Sequence, residues 1–135
     1  MHEGHEGTEP LPADTERVGS VVVDAALKVH RLLGPGLLES VYEACLAEEL
    51  RGRGLRVERQ VGVPVAYGDI RLNVGLRLDL LVDDLVVVEI KAIDALASIH
   101  TAQVATYLRF SGRRLGYLIN FNTTLLKNGL RRIVR

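Results

Sequence analysis

Tryptophan is absent from this 135-residue chain, cysteine occurs once, and the only aromatic side chains are four tyrosines and two phenylalanines. A single cysteine, Cys45, cannot close an internal disulfide, which excludes a stapled secreted scaffold and makes a reducing, cytoplasmic location the expectation. Zinc-ribbon and Cys-x-x-Cys redox chemistry fall with it. So few rings leave base-stacking platforms of the single-strand-binding kind poorly supplied. No segment is long and apolar enough to span a bilayer, and residues 1–17 carry no basic stretch followed by an apolar one, so neither a membrane anchor nor an export signal is expected. Net charge is missing too, since 17 basic residues balance 17 acidic ones. The length suits one hydrophobic core and is too short for two domains.

That neutrality hides an uneven distribution. Glu3, Glu6, Glu9, Asp14 and Glu16 fall in the first sixteen residues, which hold no Lys or Arg, leaving 17 basic against 12 acidic residues beyond them. Residues 1–17 mix Gly, Pro, Glu and Thr with almost nothing apolar to bury, so a flexible acidic tail is expected there and a single domain over residues 18–135. His2, Glu3, His5 and Glu6 lack the spacing of a helical metal motif and read as part of a solvated tail. The basic residues are fourteen Arg and three Lys, with Arg51, Arg53, Arg56 and Arg59 in one cluster and Arg109, Arg113 and Arg114 in another. Guanidinium groups suit phosphate contacts, though surface arginines equally serve ion pairs between subunits.

Hydrophobic periodicity orders the rest. Val22, Ala25, Ala26, Val29 and Leu33 form a helical stripe within residues 18–33, and Gly34-Pro35-Gly36 stops it. A second helix over residues 37–51 carries Leu38, Val41, Tyr42, Cys45, Leu46 and Leu50, and Gly52 and Gly54 end it. The period then becomes two. Residues 57–65 read as a strand weakened or bulged at Pro64, residues 70–82 as a strand with one apolar face, and residues 85–91 as a mostly buried strand. A third helix spans residues 98–111, an apolar strand residues 114–121, and a short edge strand follows at residues 130–134, defended by Arg131, Arg132 and Arg135. The fold class is α/β, of mixed α+β type: two N-terminal helices, a central mixed sheet, one crossover helix and C-terminal strands.

The chemistry concentrates at Glu89-Ile90-Lys91. Residues two apart on a strand share a face, so Glu89 and Lys91 point together from a strand too apolar to be a surface edge. Burying such charges is costly unless they pair with each other, with a metal or with a phosphate. The bland reading is a buried ion pair. Asp79 joins them only if the hairpin between the two strands has a loop of odd length, such as Val82-Asp83-Asp84, or a bulge, with Asp84 in the left-handed region that Asp tolerates. The odd loop or bulge is the expectation. Two carboxylates and a lysine would then converge, as needed to hold a hard cation and stabilise charge on a phosphodiester.

Asp79 followed by Glu89-x-Lys91, after a helix with a glutamate and before a helix with Gln103, resembles the PD-(D/E)XK nuclease superfamily. Gly36-Leu37-Leu38-Glu39-Ser40-Val41-Tyr42 is similar to the GxxExxY motif of a group of small bacterial proteins. Further similar stretches are His30 to Gly36, Glu58-Arg59-Gln60, Asp79-Leu80-Leu81-Val82, Gln103 to Tyr107, and Ile119-Asn120-Phe121-Asn122. The proline of the superfamily's name is replaced by Leu78. The resemblance implies a restriction-endonuclease-like core in which Asp79, Glu89 and the backbone carbonyl of Ile90 hold one or two Mg²⁺ or Mn²⁺ ions. Lys91 would orient or deprotonate the attacking water. Glu39 would enter from its helix as an extra acid of the catalytic set, together with Gln103. Tyr107, four residues after Gln103, would bind substrate.

Each assignment has a plainer counterpart. Glu39 also reads as a first-turn acid favoured by the helix dipole. Tyr42 reads as a core aromatic with a tethered hydroxyl. His30 and His100 read as helix-end histidines, although His100, one turn before Gln103, could touch a substrate phosphate. The functional expectation is a metal-dependent phosphodiesterase acting on DNA or RNA. The alternative is a catalytically silent homo-oligomeric assembly or a binder of an unidentified protein partner that keeps the nuclease fold.

Overall fold

The computed structural model describes residues 9–135. The chain runs α1 (Ala13–Leu33), α2 (Glu39–Gly52), β1 (Val57–Tyr67), β2 (Ile70–Val82), β3 (Val86–Lys91), α3 (Ser98–Ser111), β4 (Leu115–Asn120) and β5 (Leu130–Val134). The five strands form one sheet in sequence order, antiparallel except for β3 against β4. A parallel pair needs a crossover, and α3 supplies it.

Helices cover both faces. Val22, Ala26, Tyr42, Leu46 and Leu50 of α1 and α2 pack with Leu80, Val88, Ile90, Ile119 and Phe121. On the other face Val104, Tyr107 and Leu108 of α3 meet Leu81, Val87 and Leu118. Since β3 is buried from both sides, its sequence is a continuous apolar run interrupted only by Glu89 and Lys91. Arg53 binds Asp24 and Glu49, and Lys28 reaches Glu49, which ties α1 to α2. Arg53 accordingly holds both carboxyls below the usual carboxylate range.

One feature of the N-terminal half corrects the sequence expectations and another agrees with them. The first helix begins at Ala13, so residues 13–17 belong to it and not to a tail: Thr15 is buried and Glu16 meets Arg132 at 2.8 Å. Asp14 and Glu16 in its first turn suit the positive end of the helix dipole. The remainder of the expected tail through Thr8, with His2, Glu3, His5 and Glu6, lies outside the described residues. Tyr42 is the core aromatic: it is fully buried and stacks on Phe121 at 4.6 Å. Its hydroxyl donates to the Gly34 carbonyl at 2.6 Å and accepts from the Leu37 N–H at 3.1 Å. The Gly34-Pro35-Gly36 corner, with φ of 67° at Gly34 and 100° at Gly36, is stitched to the chain after β4. Gly36 N–H donates to Asn122 Oδ1, and His30 Nε2 meets the Thr123 carbonyl at 2.7 Å.

The sheet register decides where the site can form. β1 and β2 pair along their whole lengths, with a shift between Val63 and Val65 at the expected Pro64 position. β2 and β3, by contrast, pair only through Leu80 with Val88, Leu81 with Val87 and Val82 with Val86. The loop between them is Asp83-Asp84-Leu85, of odd length as expected but one residue later in the chain, and both aspartates take positive φ. Beyond Leu80 the β1–β2 hairpin departs from the sheet as a two-stranded arm. Tyr67, Ile70, Leu72 and Val74 are exposed there. Among the described residues, no helix is long and apolar enough to cross a membrane.

Candidate active site

The three-residue loop places Asp79 opposite Glu89 where β2 leaves β3. The ladder does not continue across that position; side chains take it over. Asp79 N–H donates to Glu89 Oε2 at 2.9 Å, and Ile90 N–H donates to Asp79 Oδ2 at 2.8 Å. Each carboxylate thus spends one oxygen on the partner strand's backbone; the second oxygen of Asp79, Oδ1, has only a long contact of 3.4 Å from Gln60 Nε2. The N–H and C=O of one strand residue point to the same side of the strand, so the Ile90 carbonyl also aims into the gap that β2 has vacated. The Ile90 side chain is buried on the opposite, α1–α2 face.

Burial dominates the electrostatics of the two acids. Glu89 is 4% exposed, and burial, reinforced by the nearby charge of Asp79, pushes its carboxyl up to about 8. Burial also raises Asp79, against the stabilising Ile90 N–H bond, and Glu43 adds to the rise. Lys91 lies near enough to favour both ionised carboxylates but makes no ion pair with either within 4 Å among the described residues. The closed Glu-Lys pair of the bland reading is therefore absent. Lys91 and Asp79 are half-buried, so the cluster has an opening to solvent.

A divalent cation fits this donor set. The available groups are all oxygens, two carboxylates and a carbonyl, and Glu89 is a buried acid whose charge lacks a strong counterion. Among the described residues no three His, Cys, Asp or Glu side chains converge into a ready-made cage. Mg²⁺ characteristically uses one or two carboxylates and completes its shell with water and phosphate.

The acid that α2 delivers is Glu43, not Glu39. Glu39 opens α2 and is exposed, which makes it the first-turn acid of the plainer reading. Glu43, one turn on, is 8% exposed. Its Oε2 accepts from Arg59 Nε at 3.1 Å and its Oε1 from Gln60 Nε2 at 2.8 Å. Gln60 Nε2 also approaches Asp79 Oδ1 at 3.4 Å, connecting Glu43 to the site. The signal was present in the helical pattern: Glu43 occupies the stripe of Leu46, Ala47 and Leu50, an acid at a core position.

From the other face, Tyr107 of α3 lies near enough to the same cluster to feel its charge. Its hydroxyl is raised by burial and further by the charges of Glu89 and Asp79. Gln103 and Tyr107 line one cleft of about 330 Å³, whose opposite wall is Gly75 and Leu76 of the arm. The expected shared face of these two residues is thus present. His100 does something else: its Nδ1 accepts from the Ala97 N–H at 2.9 Å, so it caps the start of α3. The Asn120 and Asn122 side chains grip the backbone of Ile93 after β3 and hold the segment leaving the site.

A mixed sheet covered by helices on both faces, with an acid on one strand and Glu-x-Lys on the next, defines a restriction-endonuclease-like domain. The sequence model of the PD-(D/E)XK nuclease superfamily matches residues 16–133, and the chain belongs to that superfamily. Among curated proteins and among solved structures, none matches the chain.

Proposed function

We propose that the protein is a divalent-cation-dependent phosphodiesterase acting on DNA or RNA, within the GxxExxY group of the superfamily. The observation that carries this reading is the reciprocal arrangement of Asp79 and Glu89, each anchored through one oxygen by the other strand's backbone, beside a lysine that among the described residues makes no ion pair with either. Asp79, Glu89 and the Ile90 carbonyl would hold Mg²⁺ or Mn²⁺. When bound, the ion supplies charge neutralisation at a phosphoryl oxygen and a more acidic water. Lys91 orients the attacking water, takes up its proton or steadies the phosphate at Nζ. Gln103 and Tyr107 line the cleft that admits the sugar-phosphate backbone, and His100 has its Nε2 left for a phosphate while its Nδ1 caps the helix. Gly36 and Tyr42, the ends of the GxxExxY motif, shape the α1–α2 corner, while Glu39 stands outside the site.

The test is cleavage of DNA and RNA by purified protein with Mg²⁺ or Mn²⁺, beside Lys91→Ala and Asp79→Ala. Metal-dependent cleavage by the wild type alone supports the reading. Equal cleavage by all three would show a contaminating nuclease and remove it.

The exposed apolar residues of the arm favour a second reading, a cytoplasmic homo-oligomer in which catalysis is silent and the same chain serves assembly or an unidentified protein partner. A large particle free of nucleic acid and inactive with either metal would select it.

A further inference from the structure

Gln60 sits in the middle of β1 with φ of 55°, in the left-handed region that glycine adopts freely and glutamine does not. On one side of it Arg59 pairs with Leu80 and on the other Val61 pairs with Leu78, so the register is unchanged and no inserted residue requires the twist. What the twist accomplishes is contact: the side-chain amide reaches Glu43 Oε1 at 2.8 Å and Asp79 Oδ1 at 3.4 Å, two acids from different elements. An amide nitrogen has two hydrogens and no charge, so it can serve both carboxylates without neutralising either. Arg59 meanwhile occupies the second oxygen of Glu43.

We infer that Gln60 is a positioning residue of the metal site: it binds Glu43 to Asp79, so that a cation held by Asp79 and Glu89 has the charge of Glu43 fixed behind it. The inference rests on the metal-binding reading proposed above. It accounts for a strained residue within the regularly paired stretch from Val57 to Val63, and for a buried glutamate whose partners lie on the strand next to Asp79.

Calorimetric titration of Mn²⁺, with thermal melts alongside, tests it on the wild type, Gln60→Gly, Gln60→Asn, Glu43→Gln, Glu89→Gln and the Gln60→Gly/Glu43→Gln double variant. Glycine accepts φ of 55° without strain, so Gln60→Gly should melt at or above the wild-type temperature yet bind Mn²⁺ about 10- to 100-fold more weakly. Gln60→Asn tolerates the same backbone with an amide one methylene too short, and should show the same loss. The double variant should bind no more weakly than Glu43→Gln, because both changes break one linkage. Wild-type Mn²⁺ affinity in Gln60→Gly and Gln60→Asn, or independent losses in the double variant, would overturn the role of Gln60. Failure of the metal reading looks different: there the wild type binds no Mn²⁺, or Glu89→Gln binds it equally well, and the inference falls with it.

Discussion

Glu89 reverses the usual pH behaviour of a carboxylate in a folded protein. Unfolded, it ionises near its ordinary value of 4.5; folded, it keeps its proton to about 8. Between those values the folded chain binds more protons than the unfolded chain, so without metal its stability falls as pH rises and levels off above about 8. Glu89→Gln removes that slope. Urea unfolding should show the variant gaining on the metal-free wild type as pH is raised from about 5 to 8, by up to about 1.4 kcal/mol per unit; a constant difference at all pH would contradict this. The two acids of α2 separate as sharply. Glu43→Gln should lower metal affinity or cleavage about 10- to 100-fold, whereas Glu39→Gln, on the surface, should change either by less than about twofold. Equal losses would return Glu39 to the site. Asp79, Glu89 and Lys91 were legible in the sequence because a period of two assigns strand faces directly, given an odd hairpin loop. Gln60 was not, because nothing in a polar residue of an alternating strand announces a left-handed backbone.

At the scale of elements, the strand and helix boundaries followed from periodicity and glycine stops, with α3 and β2 matching the expected limits. The beginning of α1 did not, because a polar helix turn and a polar tail look alike in composition. The arm was also hidden. Alternation in β2 implied a buried apolar face, but β2 has 13 residues and its neighbour β3 has 6, so the far half of β2 extends past the rest of the sheet and its apolar residues stay exposed. Helix α3 is set against β4 through Gly116, where an added Cβ would lie 2.9 Å from Val104 Cγ1 and 3.3 Å from Leu108 Cδ2. Both neighbours are fully buried. Gly116→Ala should therefore destabilise the fold by about 1–3 kcal/mol in denaturant unfolding. Gly52→Ala, with nothing within 4 Å of its added Cβ, should be neutral or stabilising by up to about 1 kcal/mol. Equal effects would mean that the contact between α3 and β4 is looser than described.

For the whole molecule, periodicity supplied the order of two helices, three strands, one helix and one or two strands, while the restriction-endonuclease-like architecture came from the family resemblance. What holds the site open is also a property of the whole: β2 must leave β3 at Asp79, α2 must present Glu43 from one face and α3 Tyr107 from the other. The arm that this divergence creates exposes Tyr67, Ile70, Leu72 and Val74. If copies of the chain cover it, light scattering should give a mass above that of one chain, and Ile70→Ser with Val74→Ser should return it to a monomer; a monomeric wild type would exclude the assembly. The central claim is more specific, that Asp79 and Glu89 form a cation site. Crystals grown with Mn²⁺ and measured at the manganese absorption edge test it most directly. The predicted result is an anomalous peak about 2.0–2.3 Å from a carboxylate oxygen of each, lost in Glu89→Gln. A saturated crystal with no peak between them, or with manganese bound only elsewhere, would contradict it.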